Sequence, residues 1–205
     1  MRTILEDIKD TFWSSERRSD LLQVAQKRGY QFKNSRSFLT LDLELKAFDF
    51  FGEGKNHKIK YILSQSVERL SGNVELFDFH RDGQQKVTTL VLIQSVLLEL
   101  PKFKIEKRSK WDWIKRKSKG RAIEFMGFPE FNDLFHLYTD APARRMKDLF
   151  QEEFLDFLVE HPDCFLEAHQ EFLILGRKEE QIDARDIPTW MEAGRMIGLS
   201  LFKGT

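Results

Sequence analysis

The sequence predicts an α+β fold, an antiparallel β meander (an open sheet or a half-barrel) packed by flanking helices. Three observations carry this. Residues 39–46, LTLDLELK, alternate strictly between apolar and polar, the period of a half-buried strand. Apolar runs over 58–68, 74–80, 86–98 and 103–107 are separated by short segments that include Ser71-Gly72-Asn73 and Asp82-Gly83, and Asp-Gly between two apolar runs marks a hairpin. Helical periodicity gathers at the two ends of the chain. Consecutive strands with short turns specify a meander rather than βαβ units.

Taken in order, residues 3–28 read as a helix, with Leu21, Leu22, Val24 and Ala25 at helical spacing and Gly29 placed to cap its end. The 39–46 strand follows, then Gly52, Gly54 and Asn56 break the chain. Pro101 is expected to end the long 86–98 strand, the stretch 108–121 to form a loop or short helix, and 121–126 and 134–138 to form shorter strands. Asp140 and Pro142 open a helix whose stripe is Met146, Leu149, Phe150, Phe154, Phe157 and Leu158, and His161-Pro162 stops it. A hairpin over 164–168 and 172–176 precedes a last helix that opens at Pro188 and carries Trp190, Met191, Ile197 and Leu201. The organisation expected is one domain over 1–205: a helical segment at 1–30, a mainly β region at 39–138, and helix, hairpin and C-terminal helix over 140–205.

With 205 residues, 41% of them hydrophobic, and 19 phenylalanines, the chain can bury a large core without covalent help. Its one cysteine, Cys164, rules out an intrachain disulfide and fits a reducing compartment. Glu6, Asp7 and Asp10 interrupt the apolar run a signal peptide needs. The most apolar stretch, Leu90–Leu98, is shorter than the roughly 20 residues of a transmembrane helix. A soluble, cytoplasmic protein with no transmembrane segment is therefore expected. Net charge is zero, yet residues 102–121 hold ten basic residues against two acids, net +8, and residues 148–186 hold twelve acids against three basic residues, net −9. Such asymmetry marks either a binding face or two segments that neutralise each other.

Motifs for catalysis fail on their own mechanics. Gly52-Glu53-Gly54 lacks a third glycine and precedes a strand, and Gly54-Lys55 is followed by Asn56 where a phosphate loop needs Ser or Thr. Gly198-Leu199-Ser200-Leu201-Phe202 lacks the second glycine of a nucleophile elbow and lies in a helix. Cys164 has His161 and His169 nearby in sequence but neither at the spacing of a positioned base, so it reads as a buried thiol. Asp78 and His80 share one strand face, and with His136 they could ligate a metal only if their strands were neighbours. Asp42, Glu44 and Lys46 share the polar face of one strand, as in some magnesium-dependent nucleases and equally in any half-solvated strand. No cofactor is implied.

The basic stretch is the strongest functional signal. Lys107, Arg108, Lys110, Trp111, Trp113, Lys115, Arg116, Lys117, Lys119 and Arg121 form a candidate polyanion-binding set. Cations would contact phosphates and an indole would stack on a base or sit at a lipid interface. The competing reading is a solvated loop whose charges face the acidic segment.

Over about residues 87–202 the order of features is similar to that of a family of uncharacterised bacterial proteins. The matching steps are Leu100-Pro101-Lys102-Phe103, the strand Leu134-Phe135-His136-Leu137-Tyr138, Leu149-Phe150 near a helix start, Phe172-Leu173-Ile174-Leu175, and a closing helix. The resemblance implies a fold and no chemistry. Members of that family often carry a membrane-spanning segment.

The reading that results is a non-enzymatic soluble interaction module whose partner is another protein. The alternative is a nucleic-acid-associated protein, or one bound to an anionic surface, acting through 102–121. A metal-dependent hydrolase or nuclease comes third. With a single thiol, the protein is expected to run as the same species on gels with and without reductant; a reductant-sensitive dimer would identify Cys164 as an intermolecular link.

Overall fold

Among the described residues the short apolar runs build one sheet of nine strands, in the order β1-β2-β3-β4-β9-β8-β5-β7-β6. The strands are β1 Gln31–Arg36, β2 Lys58–Val67, β3 Gly72–His80, β4 Val87–Ser95, β5 Leu100–Lys107, β6 Ala122–Ile123, β7 Phe135–Thr139, β8 Cys164–Gln170 and β9 Phe172–Arg177. Every pairing is antiparallel, and the sheet is open, with β1 and β6 at its edges. The helices are α1 Ile4–Arg28, α2 Asp49–Gly52, α3 Pro129–Leu134, α4 Ala143–Leu149, α5 Glu152–Glu160 and α6 Ile187–Leu201. This computed structural model describes residues 4–36, 45, 47–52, 57–81, 87–108 and 122–202. The strand expected over 39–46 lies outside the described residues except Leu45, which is helical and buried. The Asp82-Gly83 turn also lies outside them, while β3 and β4 pair on either side of it as a hairpin.

The expected meander is interrupted. β4 and β5 are consecutive in sequence but not neighbours: the β8–β9 hairpin lies between them, β9 on β4 and β8 on β5. Pro101 does not end the central strand; β4 stops at Ser95 and Pro101 lies inside β5, where the register with β8 shifts between Leu100 and Phe103. A residue without an N–H is accommodated at such an irregularity. The helix expected over 140–160 is two helices. Phe150 and Gln151 are extended between them, Glu152 and Glu153 open α5 favourably for the helix dipole, and the Phe150 and Phe154 rings stack across the break at 4.9 Å. β1, polar in sequence, and α3 are additions to the sequence-based expectation.

Both faces of the sheet are buried. One face packs against α1, α3, α4, α5 and α6 in a core that includes Leu21, Leu76, Val91, Phe103, Phe131, Met146, Phe154, Leu166 and Trp190. Helix α6 lies close to β3 and β4 because two of its residues have no side chain. A Cβ at Gly194 would stand 2.6 Å from Val91, and one at Gly198 would stand 2.8 Å from Leu70. The serine-containing Gly198 segment is thus a helix seating. The other face carries a second core of Ile59, Ile62, Phe77, Phe79, Leu90, Leu92, Phe165, Phe172 and Ile174, covered by Leu45, Phe48, Phe50 and Phe51.

Of the expected phenylalanine stripe, Phe150 and Phe154 are buried, while Phe157 is half-buried and rests on His161. Phe154→Ala is expected to cost about 3–5 kcal/mol in denaturant melts. A loss below about 1 kcal/mol would mean that this face of α5 is not core.

Candidate functional site

Three polar assemblies stand out against this apolar frame. The first is centred on Asp78 of β3, whose side chain is wholly buried. Arg17 of α1 binds it with two donors, Nε at 3.0 Å and a terminal nitrogen at 3.1 Å. Thr89 Oγ1 of β4 donates at 2.7 Å, and Gln181 Nε2, from the segment between β9 and α6, donates at 2.6 Å. Thr89 Oγ1 in turn accepts the Ile182 N–H at 3.0 Å. A carboxylate so enclosed is bound into the scaffold and has no direction left from which to reach a substrate.

The second assembly lies on the opposite face, beside the second core. Cross-strand register aligns Glu167 with Lys104, Lys104 with Tyr138, and Glu106 with His136. Glu167, Glu106, His136 and Tyr138 are buried. Lys104 Nζ lies 3.0 Å from Glu167, 3.5 Å from Glu106 and 3.7 Å from Asp49. Burial acts against its ammonium, but Glu167 and Glu106 outweigh that and hold its pKa above the usual lysine value.

The third is a groove of roughly 440 Å³ between the end of β9 and the start of α6, a volume within the range of ligand sites. Trp190 and His161 form its inner wall, with Arg177 laid over the indole at 5.3 Å. Arg177 also holds Glu180 at 2.7 Å. Glu180, Asp183, Arg185, Asp186 and Thr189 line the rest, so both signs of charge face one opening. His161, wedged between Phe157 and Trp190 at 4.6 and 6.0 Å, has its pKa lowered by burial and then by Arg177. Behind the groove, burial pushes the Cys164 thiol up to about 11, with Arg177 pulling the other way. That thiol is no nucleophile near neutral pH.

Two of the residues singled out in the basic stretch are described. Lys107 Nζ binds Asp163 at 2.6 Å. Arg108 donates its backbone N–H to Leu134 O at 2.7 Å, and its Nε lies 3.4 Å from His136 Nδ1. Lys110, Trp111, Trp113, Lys115, Arg116, Lys117, Lys119 and Arg121 lie outside the described residues, as do Asp42, Glu44 and Lys46. Asp78, His80 and His136 do not come together: β3 and β7 are third and eighth in the sheet, and His136 points to the face opposite Asp78. Among the described residues there is no group of three or more His, Cys, Asp or Glu able to hold a metal ion. No described helix is long and apolar enough to cross a membrane. Sequence reasoning missed the groove, because its lining is largely the β9–α6 connection, a polar stretch with no motif that marks a site, and only the fold brings His161 to it. It missed the Lys104 row because charged residues on a strand read as a solvated face.

Both His161 and His80 resist protonation in the fold; for His80 the causes are burial and then Lys60. The unfolded chain takes up these protons near pH 6.5. Stability is therefore expected to be full above that pH and to fall as the pH drops below it, until the lowered folded-state values are reached. Urea midpoints at pH 8, 6.5 and 5 measure this, and His161→Gln should flatten the decline; a midpoint that rises toward pH 5 would contradict the assignment.

No protein-family profile matches the chain, and no curated protein matches it either. Among solved structures, the mycobacterial trehalose monomycolate transport factor A, TtfA, is similar over 89% of this chain and 90% of that one, with a TM-score of 0.59 at 12% identity. At that identity the likeness is one of fold alone.

Proposed function

We propose that this protein is a non-enzymatic accessory protein that works by binding another protein, with the β9–α6 groove as its contact site. The observation that carries this reading is how its buried charges are used. Asp78 is closed by Arg17, Thr89 and Gln181, and Lys104 by Glu167 and Glu106. These groups hold the fold together, whereas a catalytic acid or base must keep a free face toward the substrate. The groove, by contrast, presents Arg185 and Asp183 with 80% and 56% of their side chains exposed. The shared fold with a protein described as a transport factor supports an accessory role, and the similarity to an uncharacterised bacterial family is part of the same proposal.

The nucleic-acid reading through 102–121 is weakened by what its described cations do. Lys104 and Lys107 are paired with Glu167 and Asp163, two members of the acidic 148–186 segment.

One set of measurements separates the two. Arg185→Glu with Asp183→Lys reverses the rim of the groove without touching the core. Partners cross-linked by the unmodified protein should be lost from this variant while its melting temperature holds. The same partners captured by both proteins would remove the groove from the reading. In parallel, labelled single-stranded RNA, single-stranded DNA and anionic vesicles are titrated at low and moderate salt. No binding is expected. Binding that falls steeply with salt, and weakens when Lys115, Arg116, Lys117 and Lys119 are all changed to Gln, would favour the polyanion reading instead.

A further inference from the structure

The second core has an unusual cover. Leu45, Phe48, Phe50 and Phe51 close the sheet face formed by β2, β3, β4, β9 and β8, five adjacent strands about 19 Å across. Among the described residues, no backbone-to-backbone hydrogen bond joins this strap to any strand. Its described backbone-to-backbone bonds are internal, Phe48 N–H to Leu45 O at 3.1 Å and Phe51 N–H to Phe48 O at 3.2 Å. It is tied down instead by side chains of the sheet. Glu167 accepts the Phe50 N–H at 3.2 Å, and Arg81 donates to Phe50 O. The Asp49 carboxylate lies 3.6 Å from Lys102 Nζ and 3.7 Å from Lys104 Nζ. The rest is ring packing: Phe50 stacks on Phe165 at 4.8 Å, and Phe51 meets Phe79 edge-on at 5.0 Å.

The strap thus places a half-exposed carboxylate within ion-pair distance of two lysines, followed by an apolar surface laid across the strands. That is the chemical outline of a long-chain carboxylate. We propose that the strap is a displaceable occupant of an apolar binding face, and that the ligand displacing it is a long-chain carboxylate. The ligand's head group takes the place of Asp49 at Lys102 and Lys104, and its chain takes the place of Phe48, Phe50 and Phe51 over Phe77, Phe79, Leu90 and Leu92. Among the described residues the strap is held by side chains and ring packing, with no ladder hydrogen bonds, and a segment so held opens below the free energy of global unfolding. This site is separate from the β9–α6 groove, so neither result decides the other.

Native-state amide exchange on the unmodified protein tests the opening, because the Phe50 N–H is held by Glu167 alone among the described residues. The Phe50 and Phe51 amides are expected to exchange at least about tenfold faster than those of Leu76 and Val91. Exchange of all four at one common rate would show that the strap leaves only when the sheet unfolds, and would overturn the proposal. Dodecanoate is the probe for the ligand. It is expected to bind saturably, to speed Phe50 exchange further, and to bind more tightly to Asp49→Asn, in which the competing carboxylate is gone. Lys102→Gln should weaken dodecanoate while leaving dodecanol unaffected. Failure of dodecanoate to bind, or binding that leaves Phe50 exchange unchanged, would overturn the assignment.

Discussion

The architecture depends on one buried carboxylate. Asp78 collects four hydrogen bonds from three other segments: α1, β4 and the connection into α6. Removing a carboxylate from water is costly, and its attraction to a buried guanidinium repays this only when the remaining lone pairs are also satisfied. Here they are. The directional requirement of that site then fixes things that apolar packing leaves loose. Among the residues of α1 whose side chains are described, Leu21 and Ala25 are the buried ones, and apolar contacts of that size tolerate sliding by a turn. A bidentate Arg17–Asp78 pair does not, since a one-turn slip would leave the wholly buried Asp78 carboxylate without its cation. The same carboxylate pins Gln181, and through Thr89 and Ile182 it sets where the chain enters α6. The β9–α6 groove inherits its shape from that entry point.

A sheet with both faces buried needs covering twice, and the two covers differ in kind. Five helices close one face. Among the described residues the other is closed by one short aromatic segment, and beyond its reach the sheet turns polar, at Glu167, Lys104, Glu106 and His136. Glu167, Glu106 and His136 are buried and Lys104 is half-buried, so their charges must be balanced locally. Lys104 does this by standing among three carboxylates, and it keeps its proton because their combined attraction exceeds the cost of its own desolvation.

Much of the secondary structure was legible because the strands are short apolar runs bounded by turn residues and polar breaks, and the helices carry apolar residues at period 3.6. The strands around 58–68, 74–80 and 134–138, the 164–176 hairpin and the terminal helix all follow from that. β1 was illegible: QFKNSR holds only Phe32 as an apolar residue, and its place at a sheet edge asks for little burial. The break at Phe150-Gln151 left no Pro or Gly to mark it, and helical spacing runs through it unbroken. Strand order was out of reach for another reason. Short turns argue that β4 and β5 pair, and nothing local tells that a hairpin about 70 residues later will separate them. The buried charges misled most. Asp78 was read as a metal ligand only on condition that its strand neighboured that of His136, and Glu106 and Glu167 entered only as charges in a count, because burial of a charge is decided by partners on other strands. For the candidate sites, then, composition located a charge imbalance but not the groove.

The inserted hairpin gives the chain a temporal problem. Until residues 164–177 leave the ribosome, β4 and β5 are both unpaired margins at the middle of the future sheet, and each exposes a row of unsatisfied amides and carbonyls. A nascent chain that stops short of Cys164 therefore displays two sticky borders in place of a continuous sheet. The central gap is the last part to fill, and the pairings that fill it are among the longest-range in the molecule, which is the arrangement that makes folding slow. Such a protein leans on whatever shields nascent chains. Its vulnerability to aggregation at the centre of the sheet lies in synthesis and refolding, before β8 and β9 close that gap and leave only β1 and β6 as edges.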